Sequence, residues 1–250
     1  MLHLLKRHPI ATRAHFDFTL ALTFALPADT LTPSLYPGLT LDAWNGLGFV
    51  CIAMVQTRAM RPAFLPEWLS GSFMLTGYRI FVRYKTQDGR TLRGLQVLRS
   101  DTDRPAMVML GNLFTHYRYE HATIGVQREQ ATLRVQATTP GQGADLDVVI
   151  DTSAPDDVLP SGSPFPDART ARRFAGPMPY TFSYEPETRS IVRIEGRRRG
   201  WKPRMVAARV EHTSFFARRG LPEPTLASAF MVEDVPYHWS RGVLERVRAA

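Results

Sequence analysis

The chain has 250 residues, of which 44% are hydrophobic, and it carries a formal net charge of +8 at pH 7. This is enough apolar material for one sizeable core, and no apolar run approaches the roughly 18 residues of a membrane-spanning helix. The single cysteine, Cys51, excludes an intramolecular disulfide and a thiolate metal cluster, as is typical of the reducing cytosol. We therefore predict one cytoplasmic domain over residues 1–250 that has no membrane segment.

Strand patterns begin close to the N-terminus. Large apolar residues occupy alternate positions from Phe16 to Phe24, while Asp17 and small residues lie between them. This period of two predicts a half-buried strand rather than a targeting segment, because the charge interrupts the apolar run. A turn-rich stretch with a short helical turn in ADTLTPSL follows, and GLGFVCIAMVQTR then predicts a core strand that is apolar on both faces.

The middle of the chain contains two predicted hairpins. The first, FMLTGYRIFVRYKTQDGRTLRGLQVLRSD, turns at Asp88-Gly89, a dipeptide that suits tight hairpin turns. The second, HATIGVQREQATLRVQA, turns near residues 128–130. The apolar segment between them, RPAMVMLGNLF, predicts a further strand.

The composition changes after the second hairpin. Residues 139–166 are rich in Gly, Pro and Ser, and we predict a loop-rich insertion or connection that holds the short strand DLDVVID. The best helix candidate follows in FPDARTARRFAG, with Asp167 near its start and Gly176 at its end.

The C-terminal third returns to strand patterns. MPYTFSYEPETRSIVRIEGR predicts a third hairpin, and RMVAARVEHTSFFA and TLASAFMVEDV predict later strands. Helical patterns are few and short. The sequence therefore predicts a mainly β fold with a few short helices, built as a barrel or a strongly curved sheet.

Several motifs, taken in order, resemble the YqjF-like family of uncharacterised bacterial proteins. The stretch around GLTLDAWNG matches the family's opening progression at Pro27, Leu31, Leu35, Pro37, Gly38, Leu39, Asp42 and Gly46. FMLTGYRIFV resembles its aromatic-to-arginine strand, with Arg79 as the arginine, and YHWSRGV resembles its closing segment. The family is placed in the acetoacetate decarboxylase-like superfamily, so the resemblance implies a cone-like β-barrel with an internal pocket.

Acetoacetate decarboxylase forms a Schiff base between a lysine and a keto acid. The resemblance places Tyr119 and Glu120 near its lysine pair, and no lysine occurs between Lys85 and Lys202. Leu75 stands where the superfamily often has a carboxylate. We therefore predict that this chain performs no Schiff-base chemistry.

The stretch THYRYEH has two interpretations. Alternation places Tyr117, Tyr119 and His121 on one face, where the tyrosines either fill space in a barrel strand or line a ligand pocket. In the second interpretation these three residues and Arg79 contact a small organic acid, and Arg79 offers a fork for its carboxylate. The alternative is an enzyme, such as a lyase or hydrolase of a small oxo acid, that uses Tyr, His or Glu for proton transfer.

The other motifs are weaker. The seven histidines form no HxH or HExxH pattern, and phosphate-loop and dinucleotide motifs are absent, so we predict no metal and no cofactor. The run GRRRGWKPR offers a polyanion patch formed by Arg197, Arg198, Arg199, Lys202 and Arg204. Because no nucleic-acid motif accompanies the run, we favour a solvated loop and keep a polyanion-binding protein as the second alternative. The oligomeric state does not follow from the sequence.

Overall fold

A computed structural model describes residues 2–176 and 178–247, and the described chain is dominated by strands. The strands are β1 (Thr12–Pro27), β2 (Leu39–Leu41), β3 (Leu47–Pro62), β4 (Gly71–Lys85), β5 (Thr91–Thr102), β6 (Tyr119–His121), β7 (Thr123–Glu129), β8 (Thr132–Thr138), β9 (Leu146–Asp151), β10 (Tyr180–Glu185), β11 (Ser190–Arg198), β12 (Arg204–Met205), β13 (Ala207–Thr213), β14 (Thr225–Trp239) and β15 (Val243–Arg246). The helices are α1 (Ala28–Leu31), α2 (Pro105–Phe114), α3 (Ala168–Ala175) and α4 (Phe215–Arg218), and 3₁₀ turns occur at Leu2–Arg7, Thr32–Ser34, Glu67–Leu69 and Pro140–Gln142. The predicted mainly β fold is confirmed. Within the described ranges, every helix is too short or too polar to cross a membrane.

Seven strands close into a ring. They follow the order β14-β1-β3-β4-β5-β10-β11, and β11 pairs back with β14 where Gly196–Arg198 meets Tyr237–Trp239. β5 and β10 run parallel, and the other neighbours in the ring run antiparallel. The pairing of β11 with β14 closes the ring and encloses an interior.

A second sheet of four antiparallel strands, in the order β13-β9-β8-β7, covers one outer face of the ring. The layer between the two sheets contains Leu20, Leu22, Ile52 and Met54 from the ring and Leu133, Val135, Val148 and Ile150 from the small sheet. β9 lies between β8 and β13. The predicted loop-rich segment 139–166 thus supplies an inner strand of this sheet. In β9, buried apolar residues alternate with residues that are more exposed.

The first strand departs from simple alternation. A β-bulge between Phe16 and Phe18 shifts the register with β3 and reverses which side chains face inward. Phe16 faces the interior of the ring, whereas Phe18 packs in the layer beneath the small sheet. From Phe18 onward both faces are buried, since Ala21 and Ala25 pack in a cluster with α3. The prediction of a half-buried strand therefore holds only for the first part of β1.

The segment RPAMVMLGNLF, predicted as a strand, is the helix α2, so that prediction was wrong. Pro105 occupies the first helical turn, where its missing N–H has no intrahelical partner to lose. Gly111 allows the Tyr119 ring to pack on the helix, since a Cβ at this position would overlap the ring. A short apolar run does not distinguish a helix from a buried strand by periodicity, which explains the error.

The predicted hairpins and the predicted helix are confirmed, whereas the segment predicted as the strand RMVAARVEHTSFFA forms β12, β13 and the start of the helix α4. The three hairpins form as β4–β5, β7–β8 and β10–β11. The helix candidate forms α3, and the Asp167 carboxylate accepts a hydrogen bond from the Thr170 backbone N–H at 2.7 Å, which caps the helix. The proline-broken connection between β3 and β4 exposes Phe64 and Trp68.

Candidate ligand-binding site

A cavity of about 170 Å³ lies inside the ring, and all seven ring strands contribute residues to its wall. The wall is mostly apolar and aromatic, with Phe16, Phe73, Phe81 and Phe230 among its members. The volume is close to that of an engineered cavity of about 150 Å³ in another protein that binds benzene. The cavity thus has room for one small organic molecule, such as a single ring or a short branched chain.

Arg79 lines this cavity from the interior face of β4 and is half-buried. Its guanidinium lies over Gly77, where a Cβ would overlap the guanidinium atoms. No residue in the described part of the chain forms an ion pair or hydrogen bond with Arg79. The described wall also contains no Asp or Glu. A partly desolvated cation without an acceptor is unfavourable by itself and favours an anionic ligand.

Tyr117 and Tyr119 add two buried phenols to the wall. The Tyr117 hydroxyl lies 2.6 Å from Thr181 Oγ1, and Asn112 of α2 fixes Tyr119 through hydrogen bonds of 2.8 Å to its backbone N–H and C=O. Burial raises the pKa of Tyr119 to about 12, although the nearby positive charge of Arg79 opposes the change. Burial raises the pKa of Tyr117 as well. Both phenols therefore stay protonated at neutral pH and act as hydrogen-bond donors.

His121 does not join these residues. It ends the three-residue strand β6, its side chain is exposed, and it is absent from the described cavity wall. Arg118 has a left-handed backbone with φ of 54°, so the segment before β6 does not continue the predicted alternation. The structure therefore brings together Arg79, Tyr117 and Tyr119 and leaves His121 at the surface.

The sequence analysis did not connect three polar residues of the wall, His8, Arg198 and Tyr237, with a ligand cavity. His8 is 6% exposed, and its Nδ1 has no hydrogen-bond partner among the described residues. Burial lowers the pKa of His8, so the imidazole is neutral at pH 7. His8 precedes the first strand, and no periodic pattern could have pointed to it. For Tyr237 the signal was present in YHWSRGV, but the sequence did not connect that motif with the cavity.

The predicted polyanion patch is divided by the fold. Arg197 and Arg199 are exposed, whereas Arg198 turns to the cavity wall with its Cζ 4.6 Å from the Trp201 ring centroid. Lys202 is exposed, and Arg204 Nη1 donates to the Thr152 carbonyl oxygen at 2.7 Å. The five residues therefore do not form one surface.

The model of the DUF2071 family, described as an uncharacterized conserved protein, matches residues 13–243. The chain belongs to the DUF2071 family. This match confirms the family resemblance inferred from the motifs. A search of curated protein sequences finds no match to this DUF2071 protein.

Solved structures similar to this DUF2071 protein are acetoacetate decarboxylase-like. Acetoacetate decarboxylase from Legionella pneumophila has 11% identity and a TM-score of 0.60, over 93% of this chain and 86% of that one. The enduracididine biosynthesis enzyme MppR, complexed with the condensation product of pyruvate and imidazole 4-carboxaldehyde, has 11% identity and a TM-score of 0.64, over 96% and 91%. An acetoacetate decarboxylase-like enzyme from Sphingomonas wittichii RW1 has 13% identity and a TM-score of 0.60, over 98% and 96%. At these identities the similarity shows the fold alone, and it confirms the predicted acetoacetate decarboxylase-like curved sheet.

The cavity of this DUF2071 protein offers few reactive groups in its described wall. No lysine lines it, and Lys85 and Lys202 are exposed on the surface. Cys51 lines it, but burial raises the pKa of the thiol to about 11, so the thiolate is scarce at neutral pH. In the described ranges, no group of three or more His, Cys, Asp or Glu side chains is placed to hold a metal ion. The arrangement suits binding of an anion more than covalent or metal chemistry.

A separate buried carboxylate lies further along β5. Asp101 is 0% exposed, and Arg99 Nε donates to its Oδ1 at 2.6 Å. Burial nevertheless raises the pKa of Asp101 from 3.8 to about 6. The folded protein therefore binds this proton more tightly than the unfolded chain does.

We expect the protonation of Asp101 to stabilise the fold below neutral pH. Because the pKa is higher in the folded state, this group's contribution to the unfolding free energy rises as the pH falls from about 7 to about 4, by up to about 3 kcal/mol. Denaturant unfolding of the wild type and Asp101→Asn across this range should show the wild type gaining stability relative to the variant. If the unfolding free energies of the wild type and Asp101→Asn changed in parallel with pH, the Asp101 carboxyl would have an ordinary pKa.

Proposed function

We propose that this DUF2071 protein binds a small organic acid inside its barrel, with the carboxylate on Arg79. The observation that carries the proposal is the guanidinium of Arg79 in a mostly apolar cavity, where no described residue serves as its acceptor. A carboxylate matches the fork of a guanidinium and forms two parallel hydrogen bonds with it. The protonated phenols of Tyr117 and Tyr119 add donors, and the phenylalanines contact the apolar part of the ligand.

The size and shape of the cavity limit the ligand class. A volume of about 170 Å³ admits a benzoate-sized acid or a short oxo acid and excludes larger molecules from the interior. MppR has been solved in complex with pyruvate, a small oxo acid, in the same fold. This complex supports a small carboxylic acid as the class of ligand that we propose.

The proposal is tested with pairs of ligands that differ only in charge. We expect benzoate and pyruvate to raise the melting temperature, and benzamide and pyruvamide to leave it unchanged. A ligand present at 100 times its Kd stabilises the folded state by about 2.7 kcal/mol, which a thermal-shift measurement detects readily. Equal stabilisation by an acid and its amide would refute a carboxylate site on Arg79.

A second candidate is an enzyme acting on a small oxo acid. The observation that favours it is His8, whose neutral imidazole has an unpartnered Nδ1 at the cavity wall. Such a nitrogen accepts a proton from a bound substrate, whereas the phenols, with raised pKa values, do not. Proton NMR of pyruvate or 2-oxobutyrate incubated with the protein in D₂O would show exchange or turnover.

A further inference from the structure

Two arginines face the interior of the ring from different sides. Arg79 belongs to β4 and Arg198 to β11, and the ring order places β5 and β10 between these strands on one side and β3, β1 and β14 on the other. Both residues line the cavity of about 170 Å³ inside the ring, which we call the inner cavity. The proposed function gives Arg79 an anionic partner and leaves Arg198 without one.

The alternation along β11 explains why Arg198 points inward. Val192 and Ile194 are buried in the cluster that surrounds the inner cavity, whereas Arg197 is exposed. With a period of two, Arg198 follows Ile194 on the inner face. Its register partner on β14 is Tyr237, so the Tyr237 side chain lies on the same face of the sheet.

The guanidinium of Arg198 has no anionic partner. The half-buried side chain forms no ion pair and no hydrogen bond with any residue that the structure describes. Its Cζ lies 4.6 Å from the centroid of the Trp201 ring, which holds the side chain in place. Burial lowers the pKa of Arg198, because its positive charge is partly removed from water. Together with Arg79, it gives the inner cavity two cations, and the described wall contains no Asp or Glu.

Two wall residues beside Arg198 add hydrogen-bond donors. The Nε1–H of Trp201 is buried and has no hydrogen-bond partner among the described residues. The Tyr237 hydroxyl packs on Gly196, where a Cβ would overlap it, and it too lacks a described hydrogen-bond partner. Burial raises the pKa of Tyr237, and the positive charges of Arg198 and Arg79 both oppose this change. Because both charges act on this one phenol, the two guanidinium groups border the same space.

We propose that the ligand of the inner cavity is a short dicarboxylic acid, with one carboxylate on Arg79 and the other on Arg198. This inference rests on the proposed function, since it keeps the carboxylate site on Arg79. Trp201 and Tyr237 donate hydrogen bonds to the second carboxylate, and the apolar wall contacts the methylene chain between the two ends. Arginine suits both ends because its planar fork matches a carboxylate.

Charge and size both favour a dicarboxylate. A dianion with one charge at each end neutralises both cations, whereas a monocarboxylate leaves one guanidinium partly desolvated and unpaired. A phosphate group in place of the second carboxylate would bring a charge of about −1.5 to −2 to a single guanidinium. Glutarate has as many non-hydrogen atoms as benzoate, so it suits the volume of about 170 Å³.

The first test compares dicarboxylates with their monoamides by isothermal titration. Succinate, glutarate and adipate differ in length, and each monoamide keeps one carboxylate and loses the second charge. Physiological salt screens the general attraction of a dianion to a chain with a net charge of +8. We expect at least one dicarboxylate to bind about tenfold or more tightly than its monoamide, because a charge-assisted contact with Arg198 is added. Equal affinities within all three pairs would overturn the inference.

Variants of β11 assign the added affinity to one residue. Arg198→Met should abolish the preference for the dicarboxylate and leave the affinity for benzoate unchanged. Arg198→Lys keeps the charge without the fork, should retain only part of the preference, and serves as the test if Arg198→Met does not fold. Arg197→Gln is the matched control, because Arg197 is exposed and pairs with Glu195 at 2.9 Å, and it should bind like the wild type. An undiminished preference in the Arg198 variants would overturn the inference and assign the added affinity to cations outside the inner cavity.

The dicarboxylate and the carboxylate site on Arg79 fail in different experiments. Arg79→Met should weaken the binding of the dicarboxylates, their monoamides and benzoate, whereas Arg198→Met should weaken only the dicarboxylates. Tighter binding of benzoate than of benzamide, without any preference for a dicarboxylate, would reject the dicarboxylate and retain the proposed function. Equal binding of benzoate and benzamide would reject the proposed function itself.

Discussion

Replacing Arg79 with methionine is expected to weaken the binding of benzoate or pyruvate about 100-fold without destabilising the unliganded protein. Removing one partner of a desolvated charge pair costs about 2–5 kcal/mol of binding free energy, because the remaining carboxylate loses its counter-charge. Without ligand, Arg79 has no acceptor among the described residues, so the substitution removes an uncompensated cation from the wall. The melting temperature of the variant should therefore equal or exceed that of the wild type.

Arg83→Met is a matched control on the same strand. Arg83 Nε donates to Asp42 Oδ1 at 2.7 Å, and the Asp42 side chain is 0% exposed and also accepts from Arg93 Nε at 2.6 Å. Its removal should lower the melting temperature and leave benzoate affinity unchanged, the reverse of the pattern for Arg79→Met. If Arg79→Met lowers stability and leaves affinity unchanged, Arg79 is a structural residue and the carboxylate site lies elsewhere.

Arg7→Met is expected to lower the unfolding free energy by about 3–5 kcal/mol. Arg7 Nε and Nη2 donate to the two carboxylate oxygens of Glu185 at 2.9 and 2.7 Å, and the Glu185 side chain is 0% exposed. Without Arg7, the buried carboxylate keeps Thr188 Oγ1 as its hydrogen-bond donor at 2.5 Å. The pair also anchors the segment before His8, so ligand binding should weaken as well.

The unfolding free energy that Arg7→Met loses should depend on pH in a direction set by the pKa of Glu185. The hydrogen bonds from Arg7 lower the pKa of Glu185, so this pair stabilises the fold at neutral pH and loses that effect as the pH falls through the acidic range. The stability difference between the wild type and Arg7→Met should shrink on acidification in urea unfolding experiments. The double variant Arg7→Met/Glu185→Gln should regain part of the lost stability at pH 7, because no charge remains buried. A deficit that persists in the double variant would attribute the effect to lost packing of the Arg7 side chain.

Much of the fold follows from local signals in the sequence. The hairpin β4–β5 was predictable because period-two patterns flank Asp88-Gly89, and α3 was predictable because Asp167 caps it. The β-bulge after Phe16 was not predictable from the sequence, because it depends on how β1 aligns with β3. The helix α2 was missed because its apolar run carries no helical period.

The residues of the candidate site also divide into those that sequence motifs predicted and those that they did not. Arg79, Tyr117 and Tyr119 were found because each lies in a motif that resembles the family pattern. His8, Arg198 and Tyr237 join the wall through pairing between distant segments, and pairing of β11 with β14 brings Arg198 to Tyr237. No local pattern predicts such contacts. His121 was included on alternation alone, and it lies at an exposed strand end.

The pairing of β1 with β14 also constrains the order of events during synthesis. Thr12 pairs with Trp239, so almost the whole chain must leave the ribosome before the ring closes. Contacts this distant in sequence slow folding, because a long loop must be ordered before they form. Until then β1 and β11 each expose an edge that favours association between nascent chains. The wall of the inner cavity is therefore complete only after the last ring strand has docked.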